Sequence, residues 1–114
     1  MFKYLNILLF FTAIYAIDCN DGYVENVDGD ECVPEDFYFN SSMLQAAYFF
    51  LEVTIEGDLI DEDDWVGAFN GDICVGARKW DTSQCGNYIC EVPVLGQDSE
   101  LTQGYMLSGQ IPTF

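Results

Sequence analysis

Four acids, Asp61-Glu62-Asp63-Asp64, stand directly before Trp65 and the run Val66-Gly67-Ala68-Phe69-Asn70-Gly71-Asp72. Carboxylate oxygens are the hard ligands that calcium takes, about six to eight at a time on a fairly flexible loop. Asp58, Asp61, Glu62, Asp63 and Asp64 are therefore the candidate metal ligands, with calcium as the implied cofactor. Asp28, Asp30, Glu31, Glu35 and Asp36 form a second acidic set, less well placed because no rigid strand follows it directly. Neither set fits the EF-hand loop: in NVDGDECVPEDF the glycine is not sixth and no glutamate stands twelfth. Acid runs are also commonly just a solvated face.

Catalysis has fewer footholds. The sequence contains no histidine, so a Ser-His or Cys-His nucleophile pair and a Cys/His zinc site are excluded. Paired carboxylates can hydrolyse glycosides, but they require a cleft and a defined separation. A non-enzyme is expected, and a small carboxylate-based glycoside hydrolase is the least favoured reading. Binding is better supplied. Trp65, Phe69 and Trp80 are candidate ligand-binding residues, since tryptophans on one sheet face stack on sugar rings, although such residues also pack against a second sheet.

The elements that position these side chains follow from sequence spacing. Asn70-Gly71 between apolar runs predicts a two-residue type I′ hairpin loop. Phe69 then faces Asp72, Ala68 faces Ile73, Gly67 faces Cys74 and Val66 faces Val75. Extending the register sets Asp63 opposite Arg78 and Glu62 opposite Lys79, and puts Trp65, Phe69, Cys74, Arg78 and Trp80 on one face. In this register the acids are the cross-strand partners of the two cations, and no metal is needed to explain them. Upstream, Ala47, Phe49, Leu51, Val53 and Ile55 alternate with Tyr48, Phe50, Glu52, Thr54 and Glu56, the period of a strand. Gly57-Asp58 is the expected turn after it. Downstream come a Cys-bounded turn, CGNYIC, a short strand in EVPV, a loop at Gly96-Gln97-Asp98, and GYMLSGQIPTF. The last reads as the start of another apolar strand at Phe114, so an incomplete domain is expected.

Compartment is read from the first residues and the cysteines. MFKYLNILLFFTAIYAID combines a basic Lys3, an apolar core from Leu5 to Tyr15 and a small Ala16, the pattern of a cleaved signal peptide over residues 1–16. The apolar run is short for a bilayer, which takes about 20 residues, so no membrane span is expected after cleavage. The 114-residue chain has 20 acidic against 3 basic residues, a formal charge of −17, which argues against nucleic acid or an anionic membrane as partner. Five cysteines in so short a secreted chain point to disulfides. Short loops close most readily, so Cys19–Cys32 and Cys85–Cys90 are the expected bridges and Cys74 is the odd thiol. Asn40-Ser41-Ser42 is an N-glycosylation acceptor in a eukaryotic host.

Two resemblances add to this. CNDGYVENVDGDEC, with its C-x-x-G-Y and D-G-x-x-C, resembles the last disulfide loop of an EGF-like module over these residues alone. DDWVGAFNGDICVGARKW, followed by VPV, GQD and GYMLSGQIPTF, resembles a domain that recurs in secreted proteins of marine bacteria, with the motif D-W-[IV]-G-A-F-x-G-[DE]-x-C-x-G-A. That resemblance covers residues 37–114 and implies an extracellular β-sandwich accessory domain.

The expectation is an all-β antiparallel sandwich over residues 37–114, a Cys-bounded EGF-like loop over 17–36, and a secreted or cell-surface location. Its expected role is non-catalytic binding or adhesion, to an extracellular protein or a glycan. A structural calcium-binding domain is the alternative.

Overall fold

The computed structural model describes residues 17–114. The expected signal peptide, residues 1–16, lies outside the described residues.

The fold is all-β. Four antiparallel pairs are formed: β1 (Tyr23–Glu25) with β2 (Cys32–Pro34), β3 (Gln45–Phe50) with β8 (Cys90–Leu95), β4 (Thr54–Ile55) with β5 (Asp58–Leu59), and β6 (Trp65–Asn70) with β7 (Ile73–Lys79). The helical segments among the described residues are 3-10 turns of three residues. Both expected disulfides are present, Cys19–Cys32 and Cys85–Cys90, and Cys74 is a buried free thiol.

The N-terminal loop has little apolar content and is held by polar contacts around its bridge. The Asn26 side-chain oxygen accepts from the backbone N–H groups of Asp30 and Glu31 at 3.0 and 3.3 Å, which closes the turn at Asp28-Gly29. Gly29 has φ 73°, a conformation that glycine adopts without a Cβ penalty.

The core lies where β6–β7 meets β8. Val66, Ala68, Val75, Trp80, Cys90, Val92, Val94, Leu95 and Tyr105 are buried together. Val75 and Val92 are wholly enclosed, and burying a side chain of that size stabilises by about 1.5–3 kcal/mol. Pro93 sits inside β8 without breaking the ladder. Gly96 donates to the Leu44 carbonyl, so by alternation the main chain at Pro93, opposite Ala47, turns away from β3. The missing N–H therefore costs no bond there.

Three local expectations are corrected. The strand expected over Ala47–Ile55 stops at Phe50, and the chain bends before β4. Its expected inward face is partly outside, with Phe49 67% and Leu51 85% exposed, while Phe50 packs on Trp80 with ring centroids 6.2 Å apart. The turn after it is Glu56-Gly57, both with positive φ, rather than Gly57-Asp58.

The central hairpin also differs. Asn70 pairs with Ile73, so the loop is Gly71-Asp72. Gly71 alone of these two has positive φ (63°), which suits a turn with glycine in first place rather than type I′. Asn70 stays in the strand because its side-chain amide donates to the Gly104 carbonyl at 3.0 Å and to Gln110 Oε1 at 3.2 Å. The register then shifts again. Phe69 pairs with Cys74 but Ala68 pairs with Gly76, leaving Val75 as an extra residue in β7, the geometry of a β-bulge.

Candidate functional site

The slip and the bulge together set where every candidate side chain falls. Trp65 pairs with Lys79 and Val66 with Arg78. Successive residues point to opposite faces, so Trp65 and Trp80 no longer share one. Trp80 is 5% exposed, in the core against Phe50. The expected shared face of Trp65, Phe69 and Trp80 is therefore corrected: Trp80 is a core residue, and Trp65 and Phe69 remain partly exposed. Phe69 packs edge-on against Phe37, centroids 5.8 Å apart.

The expected ion pairs are corrected in the same way. Arg78 reaches not Asp63 but Glu91 of β8, at 3.1 Å, a tie between the central hairpin and the β3–β8 pair. Lys79 meets Asp63, not Glu62, at 3.8 Å. Both ends of the latter pair are well exposed, and pairs of that kind contribute about 0–1 kcal/mol.

The acidic run itself is a self-capped turn. Asp61 Oδ1 accepts from the Asp63 N–H and Asp64 Oδ2 accepts from the Asp61 N–H, both at 2.9 Å. The Asp64 N–H donates to the Asp61 carbonyl at 3.1 Å. Asp58 lies apart, in β5. Among the described residues, no three acidic, cysteine or histidine side chains converge as a metal would need.

Trp65, Glu62, Asp63, Arg78 and Lys79 instead line one cleft of 590 Å³, while Asp58, Asp61 and Asp64 do not. Trp65, Arg78 and Lys79 come from the central hairpin, and Glu62 and Asp63 from the turn before it. Asp81 and Gln84 come from the turn after β7, and Glu31 from the disulfide loop. Asp81 holds that turn in shape, its Oδ1 accepting from the Ser83 N–H at 3.1 Å. The Arg78 guanidinium also contacts Cys85 Sγ at 3.3 Å, linking the cleft wall to the Cys85–Cys90 bridge. Asp81 and Gln84 were not legible as site residues, and Glu31 was read only within the second acidic set, because they lie on separate loops that only the folded chain brings together.

A second, apolar groove of 460 Å³ runs along the outer side of β6, lined by Phe37, Phe50, Val53, Ile60, Gly67 and Phe114 among others. Trp65 is the wall it shares with the cleft. Gly67 is buried, and a Cβ there would press on the rings of Phe37 and Phe69.

Asn40, the glycosylation candidate, is engaged by the fold. Its Nδ2 donates to the Leu101 carbonyl at 3.0 Å, and its backbone N–H donates to the Tyr105 hydroxyl at 2.7 Å. Burial pushes the Tyr105 hydroxyl pKa up, partly offset by that bond. Burial likewise raises the Cys74 thiol, which disfavours the reactive thiolate.

No protein-family model, curated protein or solved structure matches the chain. Among the described residues, no helix is long and apolar enough to cross a membrane.

Proposed function

We propose that this chain is a secreted, non-catalytic binding module that takes a neutral glycan in the cleft beside Trp65. The observation that carries the reading is the union, in one 590 Å³ cleft, of a partly exposed indole with side chains of both signs. A pyranose offers an apolar C–H face to an aromatic ring and a rim of hydroxyls to polar groups. Carboxylates accept from those hydroxyls and Arg78, Lys79 and Gln84 donate to them, as charge-assisted hydrogen bonds where the partner is ionised. Uronic or sulfated sugars are disfavoured, because a chain of formal charge −17 repels them.

The extracellular placement rests on the signal-like residues 1–16 and on the two disulfides, which persist in oxidising compartments. The likeness of DDWVGAFNGDICVGA to secreted accessory domains supports the same placement. A sandwich arrangement of the strand pairs is supported by the core that β6–β7 shares with β8. The test is binding of neutral oligosaccharides on an array, with loss of binding in Trp65→Ala and retention in Phe49→Ala, an exposed residue outside the cleft.

A further inference from the structure

Asn70 is the one asparagine in the sequence that is followed by glycine. Such a pair carries its own reagents. The side-chain amide carbon is an electrophile, and the next backbone nitrogen, on a residue with no Cβ to crowd it, is a nucleophile. The fold sets this pair at the end of the central hairpin, against residues 104–110. Asn70 and Ile73 pair across the hairpin loop, and both meet that segment. The Asn70 Nδ2 donates to the Gly104 carbonyl at 3.0 Å and to Gln110 Oε1 at 3.2 Å, with the Tyr105 carbonyl 3.5 Å away. Gly104 packs so near Ile73 that a Cβ on the glycine would overlap the tip of the isoleucine side chain.

Carbonyl oxygens only accept, so this clamp admits an NH₂ group at position 70 and rejects a carboxylate. The same clamp keeps the pair from reacting. Ring closure between Asn70 Cγ and the Gly71 nitrogen makes a planar five-membered ring, in which Cβ and that nitrogen are eclipsed about the Cα–C bond. Extended backbone, with ψ of about +135°, holds the two far from eclipsed, and Asn70 is the last residue of β6.

We propose that Asn70-Gly71 is a self-modification site, closed while residues 104–110 hold Asn70 and used when local opening releases it. In the open state the Gly71 nitrogen gives its proton to hydroxide and attacks Asn70 Cγ. The bond from Cγ to Nδ2 breaks, and the leaving nitrogen takes a proton from water, which frees ammonia and regenerates the hydroxide. Water then opens the succinimide at either carbonyl, giving aspartate or isoaspartate at position 70. The net change is amide plus water to carboxylate plus ammonium, with no oxidation or reduction. The new carboxylate faces the Gly104 and Tyr105 carbonyls, acceptor against acceptor, so the clamp does not re-form. Residues 104–110 then come off the hairpin, and the release is one-way. The inference uses no part of the cleft and stands independently of the glycan reading.

The test is the rate of deamidation at Asn70 in the disulfide-bonded protein in mild alkali, read by peptide mass spectrometry, against the same protein unfolded in urea. Asn70 is expected to convert in both, about ten- to a hundredfold more slowly in the folded protein. Gln110→Ala removes one clamping bond and should speed the folded reaction about fivefold, leaving the unfolded rate unchanged. In Asn70→Asp the Leu107 amide, which donates to Gln110 Oε1 at 2.8 Å, should lose protection from exchange. The Val92 and Val94 amides of the β3–β8 pair should keep theirs. An equal rate in the folded and unfolded protein overturns the proposal, as does no folded conversion over a time about a thousandfold longer than the unfolded chain needs. An unchanged folded rate in Gln110→Ala would do the same, as would a Leu107 amide equally protected in Asn70→Asp and the parent. Should Asn70→Asp fail to fold, the Gln110→Ala rates decide.

Discussion

Gly76 of β7 lies so close to Pro93 of β8 that a Cβ on the glycine would overlap the proline carbonyl oxygen. Here backbone meets backbone, and the contact fixes how near the central hairpin sits to the β3–β8 pair. Arg78, two residues on, spans the same gap to Glu91.

Gly76→Ala is therefore expected to separate the central hairpin from the β3–β8 pair. Overpacking typically costs about 1–3 kcal/mol, and this site should reach at least the upper end, because no flexible side chain can give way. Urea denaturation measures it. Gly104→Ala is the comparison: its Cβ would meet only the tip of the Ile73 side chain, although the positive φ of Gly104 (86°) adds backbone strain.

The Tyr105 hydroxyl accepts from the half-buried backbone N–H of Asn40, so Tyr105→Phe should cost about 1 kcal/mol or more through an unsatisfied backbone donor. The raised pKa adds a signature in alkali. The folded chain holds the phenol neutral, so the unfolded chain releases its proton first as pH rises. Stability from this group is complete below the ordinary tyrosine range and is lost as pH climbs through the folded value. Melting temperatures recorded from neutral pH into strong alkali should fall less steeply in Tyr105→Phe.

On the acid side the group to watch is Asp98. The backbone N–H of Met43, at 2.7 Å, and the Thr102 hydroxyl hold its carboxyl below the usual carboxylate range. Its contribution is present above the ordinary carboxylate pKa and is lost as pH falls through the lower folded value. The Met43 amide should then lose protection relative to its intrinsic exchange rate as pH falls, and Asp98→Asn should remove that pH dependence.

The disulfides differ in what they contribute. In the chain-entropy model the Cys19–Cys32 bridge, with a separation of 13, is worth about 3 kcal/mol. Cys85–Cys90, with a separation of 5, is worth about 2 kcal/mol on the same scale. Paired Cys→Ser variants should follow that order in urea midpoint. Iodoacetamide should modify Cys74 only after unfolding, since the thiol is buried and its pKa is raised. Urea denaturation reads the first result, and peptide mapping under non-reducing conditions reads the second.

Much of this architecture was legible because it is local. Short cysteine loops and turn glycines announced both bridges, the all-β class and the central hairpin. What failed was register. Asn70-Gly71 has the composition of a hairpin loop, but Asn70 is bound by Gly104 and Gln110, residues far along the chain. The extra Val75 then reversed which face Trp80 occupies. A bulge leaves no mark in period-two alternation, so Trp80 was placed on the face of Trp65 and Arg78 opposite Asp63. The apolar alternation of Ala47 to Ile55 marked a strand only as far as Phe50, and not which face would find a cover. Glu31, Asp81 and Gln84 joined the cleft through tertiary contacts alone.

The central claim, that the cleft beside Trp65 binds a neutral glycan, is tested most directly by fluorescence. The sequence holds two tryptophans, and Trp80 is buried in the core. A Trp80→Phe variant that retains its fold reports on Trp65 alone. Titration with neutral cello-, xylo-, laminari- and chito-oligosaccharides should shift and saturate the Trp65 emission for at least one of them, at a Kd of about 1 mM or tighter, near −4 kcal/mol. Unchanged emission through the whole series, or binding that persists in Trp65→Ala when read by calorimetry, would contradict the account.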